Sequence, residues 1–344
     1  ANDTHIKLLR YYHEAIGKPE CRKIISRERS YHGVTVAAAS LTGLPVTQNH
    51  FDLPVDALGI LHTDHPHYYR GKQGGESETE FVDRIVGNLE SMIVREGPDT
   101  IAAFIAEPIT GASGVIVPPA GYYQKVQAVL NRYNIMFWAD EVITGFGRTG
   151  SDFGCNTMGI ESPDMMTFAK QLSSAYMPIS ASAVRREMYD AMIEQTATAG
   201  AFGHGYTYSG HPVACAVALK VLEIYQRDSI FEKAAVTGQY MQKRLAEFTD
   251  HPLVGEVRGS GLLGAIELVA NKETGEPFVG GAVGGYAQKK AQDEGLLIRA
   301  VAGSSLGFCP PLIISETQID EMIEKVAVAL DKTLDHCTQE GLLV

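Results

Sequence analysis

The sequence predicts an α/β fold: a mostly parallel central sheet with helices on both faces, plus a smaller α+β C-terminal domain. Three observations carry that expectation. Apolar runs of strand length end abruptly in the polar residues Glu107, Asp140 and Lys170. Amphipathic stretches of helical period lie between the first of these runs, an order that builds parallel sheets. Beyond residue 230 strands and helices mix without that strict order. At 344 residues the chain is long enough for two domains. We draw them as 1–209 for the large domain, 210–230 for a linking helix and 231–344 for the small domain.

Residues 3 to 16 place Ile6, Leu8, Leu9 and Tyr12 at helical spacing, and Gly17 and Pro19 close that helix. Lys23 to Arg27 reads as a short strand, Tyr31-His32-Gly33 as a turn, and 34–41 as a short helix. Residues 44–78 are rich in His, Pro and Gly and are expected to be irregular. His62, His65 and His67 within them lack the spacing on rigid elements that zinc sites use. We therefore expect no metal and a solvated active-site loop.

Phe81, Ile85, Val86, Leu89 and Met92 share one face of a helix over 79–96. A buried strand over 100–105 runs to Glu107-Pro108, followed by a turn at 111–114 and a helix over 121–133. The next apolar run, through Phe137-Trp138-Ala139, stops at Asp140-Glu141. Strands at 165–169 and 179–184 extend the sheet. His204 to Pro212 is a polar turn before a helix over 212–227, the expected hinge. Then come a helix (231–248), a strand (about 257–268), a glycine-rich loop (279–285), a helix and a strand at 296–299. The capping box Ser315-Glu316-Thr317-Gln318 starts the last helix, which runs to about Cys337.

Composition narrows the function. A formal net charge of -12 argues against nucleic acid and anionic membranes as partners. No apolar run reaches the length that spans a bilayer. The five cysteines are scattered, odd in number and never in a C-x-x-C pair, which suits free thiols in a reducing cytoplasm. No signal peptide is visible.

Ligands of parallel sheets sit at the carboxyl ends of the strands, so Asp140 belongs at the floor of a site. A Walker-B acid also ends an apolar strand, but no G-x-x-x-x-G-K-[ST] loop accompanies it. Gly145-Phe146-Gly147-Arg148-Thr149-Gly150 matches G-x-G-x-x-G, yet no helical period opens inside it to face a pyrophosphate. We read it as a glycine-rich turn. Lys170 ends the apolar run Met165 to Ala169. Alone, a lysine is a surface residue by default. A strand-end acid paired with a strand-end lysine suits an aldehyde cofactor with a basic ring nitrogen.

These residues resemble a known family. Ala139-Asp140-Glu141-Val142, Gly145 to Gly150 and Phe168-Ala169-Lys170 are similar to the class III pyridoxal-phosphate aminotransferases. Tyr31-His32-Gly33, Ala106-Glu107-Pro108-Ile109, Thr207 to Pro212 and Val257-Arg258-Gly259 match in the same order. Within the class, Tyr206 to His211 and Leu297-Ile298-Arg299-Ala300 resemble the ω-amine:pyruvate transaminases.

The resemblance implies fold type I, a homodimer with the active site at its interface, and pyridoxal 5'-phosphate as cofactor. Lys170 would bind the cofactor's aldehyde, with burial helping to remove its charge, and then shuttle a proton. Asp140 would pair with the pyridine nitrogen. Val142, on the face of Asp140 by strand alternation, and Tyr31 would cover the two faces of the ring. His32 and Glu107 would also belong to the cofactor site, with Glu107 near the ring hydroxyl or paired with Arg299. Thr207 would reach the phosphate from the neighbouring subunit. Arg299 would receive the carboxylate of a keto-acid acceptor, while Arg258 is structural. The implied reaction moves an amino group from a primary amine or ω-amino acid to pyruvate or a similar keto acid. An aminomutase, an epimerase and a silent homologue are the competing readings. The family's Gly-Ser phosphate turn precedes the helix that here starts at Ala1-Asn2-Asp3-Thr4, so we expect the chain to be N-terminally truncated.

Overall fold

Residues 101 to 106 are apolar at every position. In the computed structural model, which describes residues 1–344, they form a strand buried along its whole length. Only a strand covered on both faces tolerates such a run. The sheet around it has six strands: β1 (Lys23–Arg27), β2 (Ile60–Thr63), β3 (Ile101–Ala106), β4 (Met136–Asp140), β5 (Met165–Phe168) and β6 (Ala181–Val184). Their order is β2-β1-β3-β4-β5-β6. Every pairing is parallel except β5 with β6, which is antiparallel. The strand order reverses at β1, whose neighbours are β2 and β3. Such a reversal opens a crevice at the strand ends.

One face of this sheet packs on the helix Asn2–Ala15. Ile6 and Leu9 from that helix join Ile24, Ala103, Ile105 and Trp138 in one buried cluster. The other face carries an aromatic contact between Phe104 and Phe137, with ring centroids 5.8 Å apart, and Tyr123 sits edge-on to Phe137. Tyr123 comes from the helix Tyr122–Arg132. The helix Glu78–Glu96 begins at a complete capping box, with Ser77 accepting from the Glu80 N–H.

Three features differ from the sequence expectation here. Residues 44–78 contain β2, which lies on the sheet edge, so this is no solvated loop; His67 is buried. The helix Arg186–Ala199 was not anticipated, because only Met188 and Met192 are buried on it. Tyr31-His32-Gly33 is irregular, and the short helix after it starts at Val36.

The chain divides into two compact units. The first holds Ala1–Pro108, Pro118–Gly145 and Gly154–Gln226, and the second holds Ile109–Val117, Phe146–Phe153 and Arg227–Val344. Residues 210–226, drawn above as a link, fall within the first unit. The second unit has an antiparallel sheet of β7 (Val254–Ser260), β8 (Leu263–Asn271), β9 (Glu276–Pro277), β10 (Arg299–Val301) and β11 (Ser305–Phe308). Its order is β10-β11-β8-β7, with β9 on β8.

The single strand expected near 257–268 is thus a hairpin. It turns at Gly261, whose φ of +58° suits glycine and where a Cβ would lie 2.4 Å from the Thr149 carbonyl carbon. The expected glycine loop 279–285 is half helix, since Ala282–Asp293 is helical. The strand placed at 296–299 starts only at Arg299. The last helix, Glu316–Gln339, begins at the expected capping box. No helix is long and apolar enough to cross a membrane.

Burial also sets an acid limit on stability. His5 stacks on Trp138 with centroids 5.0 Å apart, and neither of its ring nitrogens has a hydrogen-bond partner. Burial pushes its pKa down to about 3, against the opposing charge of Asp140. His65 is pushed down to about 3 by burial and by Arg29. Both folded-state values lie below the unfolded value of 6.5. The unfolded chain therefore takes up the extra protons, and stability is lost as pH falls from about 6.5 toward 3. At pH 4 each site costs on the order of 3 kcal/mol. Denaturation midpoints measured from pH 7.5 to 4.5 should fall steadily, and His5→Leu should flatten the slope.

Candidate active site

The strand ends of the first unit converge on a cavity of about 220 Å³. Tyr31 and His32 line it from the loop after β1, and Glu107 lines it from just past β3. Asp140 enters from the end of β4, Val142 from the turn beyond, and Lys170 from just past β5. Gly33, Ile143 and Ala169 complete the wall. The cavity lies at the strand ends beside the reversal of strand order, and the strand-end residues Glu107, Asp140 and Lys170 all line it.

Asp140 is almost fully buried, at 3% exposed. Its Oδ2 accepts from His32 Nδ1 at 2.8 Å and from Asn2 Nδ2 at 3.1 Å. Its Oδ1 accepts from the Val142 N–H at 3.2 Å. Burial alone would push this carboxyl up. The His32 bond and charge, the Asn2 amide and the Val142 N–H outweigh it and bring the pKa below the ordinary value. Asp140 is thus held as an anion at the cavity floor.

The neighbouring acid, one residue past the strand end, has other partners. Glu141 is buried and accepts from Thr144 Oγ1 at 2.5 Å, Gly154 N at 2.9 Å and Cys155 N at 2.7 Å. Burial pushes its carboxyl up. It clamps the turn after β4 onto the start of the helix Gly154–Met158. The clamp needs glycine at 154, where a Cβ would lie 2.5 Å from the Thr144 Cβ and 2.9 Å from the Pro108 Cβ. Gly154→Ala should therefore cost about 1–3 kcal/mol of stability, read from urea midpoints.

Lys170 has φ of +43°, a left-handed backbone rare for a side-chain-bearing residue, and Ser174 and Ala175 follow at +48° and +63°. The segment after β5 is therefore strained where it presents the lysine, a pattern common at functional sites. Lys170 is exposed. The expectation that burial removes its charge does not hold within this chain, because the lysine sits at the rim rather than the floor.

Val142 is a second correction. The strand ends at Asp140, so alternation does not aim Val142; it lines the cavity from a turn that Asp140 itself organises by accepting its N–H. Glu107 is 3% exposed, and its Oε1 accepts from the Tyr31 N–H at 2.9 Å. Its carbonyl oxygen accepts from Arg27 Nη2 and from the Tyr123 hydroxyl, each at 2.7 Å. The buried Arg27 beneath it was not foreseen. Its signal in the sequence is slight: an arginine closing the short strand Lys23-Ile24-Ile25-Ser26-Arg27.

Thr207 lies exposed in a turn and is not among the cavity's lining residues. Arg299, in the second unit, is exposed at the first residue of β10, paired with Gly307. Arg258, also there, is structural. Its Nη1 donates to Glu256 and Glu267, each at 2.5 Å, and its Nε donates to the Gly114 carbonyl. Arg148 of the glycine-rich turn donates to the carbonyls of Leu262 and Pro310, so that turn is built for packing.

A family model, Aminotransferase class-III, matches residues 1–330. The "Gamma aminobutyrate transaminase 3, chloroplastic" of Solanum lycopersicum is 49% identical over 334 residues, covering 97% of this chain and 64% of that protein. The diaminobutyrate–2-oxoglutarate transaminase of Halomonas elongata is 44% identical over 348 residues, covering 100% of this chain and 74% of its own length. The crystal structure of the omega transaminase from Pseudomonas jessenii, in complex with PMP, superposes with a TM-score of 0.95 at 50% identity. That match covers 97% of this chain and 73% of the other. The chain spans less than two thirds of the length of the tomato relative.

Proposed function

We propose, from the premise that this chain belongs to the class-III aminotransferase family and has the fold-type I architecture of its structural neighbours, that it is the catalytic part of a pyridoxal-phosphate transaminase. The substrates are a primary amine or ω-amino acid as donor, and pyruvate or a similar keto acid as acceptor. One observation carries the reading: Asp140 at the end of β4 and Lys170 just past the end of the neighbouring parallel strand β5 line one cavity.

The residues fit the cofactor. A pyridine nitrogen needs an anion to stay protonated, and Asp140 is a buried carboxylate with its pKa held down. Its Oδ1 has a single donor, which leaves room for another. An aldehyde needs an amine, and Lys170 is on the same cavity wall. When bound, pyridoxal phosphate supplies an aldehyde and a cationic ring that withdraws electrons.

The chain's own residues do the rest. Asp140 holds the proton on the ring nitrogen. Lys170 Nζ would hold the cofactor through its aldehyde, with water as the leaving group, and once freed by the substrate amine its neutral amine would take up and hand back the proton at the substrate carbon. Val142 and Tyr31, which line the same cavity, would orient the ring, and Glu107 fixes the Tyr31 backbone by accepting its N–H. Arg299 binds the acceptor's carboxylate through its planar fork. Thr207 serves the phosphate of a partner subunit.

A homodimer agrees with the first unit's surface, where Phe51, Tyr176, Tyr208 and Leu219 stand 67, 79, 78 and 68% exposed. It would also supply the burial that Lys170 lacks. Five free cysteines agree with a reducing compartment, the cytoplasm on our reading.

The test is spectroscopic and catalytic. Purified protein with pyridoxal phosphate should show a visible band that bleaches with an amine donor and returns with pyruvate. Turnover that needs no keto acid would point instead to an isomerase and overturn the proposal.

A further inference from the structure

We propose that Asn2 is a positioning residue for Asp140, the last link of a buried hydrogen-bond chain from Trp138 through Thr167 that fixes the orientation of the carboxylate. The inference rests on the cofactor reading above for its consequence, though not for its geometry.

The direction of the chain is set by its first member. An indole N–H only donates, and Trp138 Nε1 gives its proton to Thr167 Oγ1 at 2.8 Å. The Thr167 hydroxyl then gives its own proton to Asn2 Oδ1, also at 2.8 Å. That commits the Asn2 carbonyl oxygen and turns Nδ2 the other way. Nδ2 donates to the His32 carbonyl at 2.7 Å and to Asp140 Oδ2 at 3.1 Å. A reversed amide would set its oxygen against a carboxylate and a carbonyl, and its N–H against a hydroxyl already turned toward it. Every contact would then be repulsive.

The fold makes the chain possible. Thr167 is the register partner of Asp140 across β4 and β5. Trp138 lies two residues before Asp140 and so on the same face. Asn2 opens the helix that packs on that face. All four residues are buried. One side chain therefore ties two strands to the His32 loop at the carboxylate.

Several other charged or titratable groups face Asp140. His32 bonds it directly, and His5 interacts with it through space. Glu107 and Lys170 share its cavity. None of these can replace Asn2. His5, the nearest candidate on the same helix, is stacked on Trp138 and makes no hydrogen bond. Without Asn2, Oδ2 keeps only His32, and the carboxylate loses one of the three donors that set its orientation.

The experiment uses two variants, Asn2→Ala and Thr167→Val, and two readouts. The first readout is the titration of Asp140 in cofactor-free protein carrying 13C-labelled aspartate, assigned by the signal missing from Asp140→Asn. Asn2→Ala should raise the Asp140 midpoint by about one pH unit. Thr167→Val should raise it less, because the freed amide can rotate. The second readout is the kinetics of the holoenzyme, where Asn2→Ala should lower kcat by roughly 10-fold or more at unchanged KM.

A merely structural role would lower thermal midpoints and leave the carboxyl titration where it was. An unchanged midpoint in both folded variants overturns the proposal. If Asn2→Ala does not fold, an unchanged midpoint in Thr167→Val alone overturns it. Failure of the unmodified protein to take up pyridoxal phosphate would instead overturn the cofactor reading, with the titration still deciding the role of Asn2.

Discussion

Lys170→Ala should abolish turnover while leaving the fold intact. On the role proposed for it, removing Lys170 costs roughly 10²–10⁴-fold through proton transfer by itself, and loss of the proposed covalent hold on the cofactor adds to that. The fold should survive because Lys170 is exposed, so truncating it sacrifices little buried surface. Its left-handed backbone even makes the position a net cost to stability, since φ of +43° strains any residue with a Cβ. Lys170→Gly should therefore be as inactive as Lys170→Ala yet more stable by about 1 kcal/mol. Activity assays beside urea unfolding of the two variants separate the effects. Full turnover in either variant would remove Lys170 from the mechanism.

Asp140→Asn should have the second largest effect. The change keeps size and shape and removes the charge. Alanine would confound the result by leaving the buried donors of Asn2 and His32 unpaired. Loss of one preorganised charge partner lowers kcat by about 10²–10³-fold. The change should also alter stability against pH. The folded-state pKa of Asp140 lies below its ordinary value. It therefore stabilises the fold above the unfolded value of 3.8, and that contribution is lost as pH falls through the folded value. Asp140→Asn removes the contribution throughout, so the variant should be less stable than the parent at pH 7 and the two should converge in strong acid. Unfolding curves at pH 7 and at successively lower pH read the narrowing gap directly, alongside kcat.

The strands that carry the site could be read in the sequence because they are buried on both faces. β3, β4 and β5 are short apolar runs with abrupt polar ends, and burial leaves such runs little freedom to be anything else. The capping box at Ser315 marked the last helix through local chemistry alone. What could not be read depends on distant partners. β2 holds only Ile60 and Leu61 as apolar residues among histidines and turn formers, and its pairing with β1 decides its structure. The hairpin of β7 and β8 hid behind Gly259-Ser260-Gly261, because a tight turn between small residues breaks no apolar pattern. Asn2 reads as a polar residue at a helix start, the usual place for a cap. Its partners lie 30, 138 and 165 residues away, and no local signal announces them. Lys170 was placed on the correct strand end, but its exposure is a property of the packed chain.

The proposal that the cavity shared by Asp140 and Lys170 binds an aldehyde is tested most directly by covalent mapping. The purified protein would be loaded with pyridoxal phosphate, reduced with borohydride, digested and sequenced by mass spectrometry. The predicted result is a single stoichiometric label on Lys170, lost in Lys170→Ala and weakened in Asp140→Asn. A stoichiometric label on another lysine, or none on the parent protein, would contradict the account.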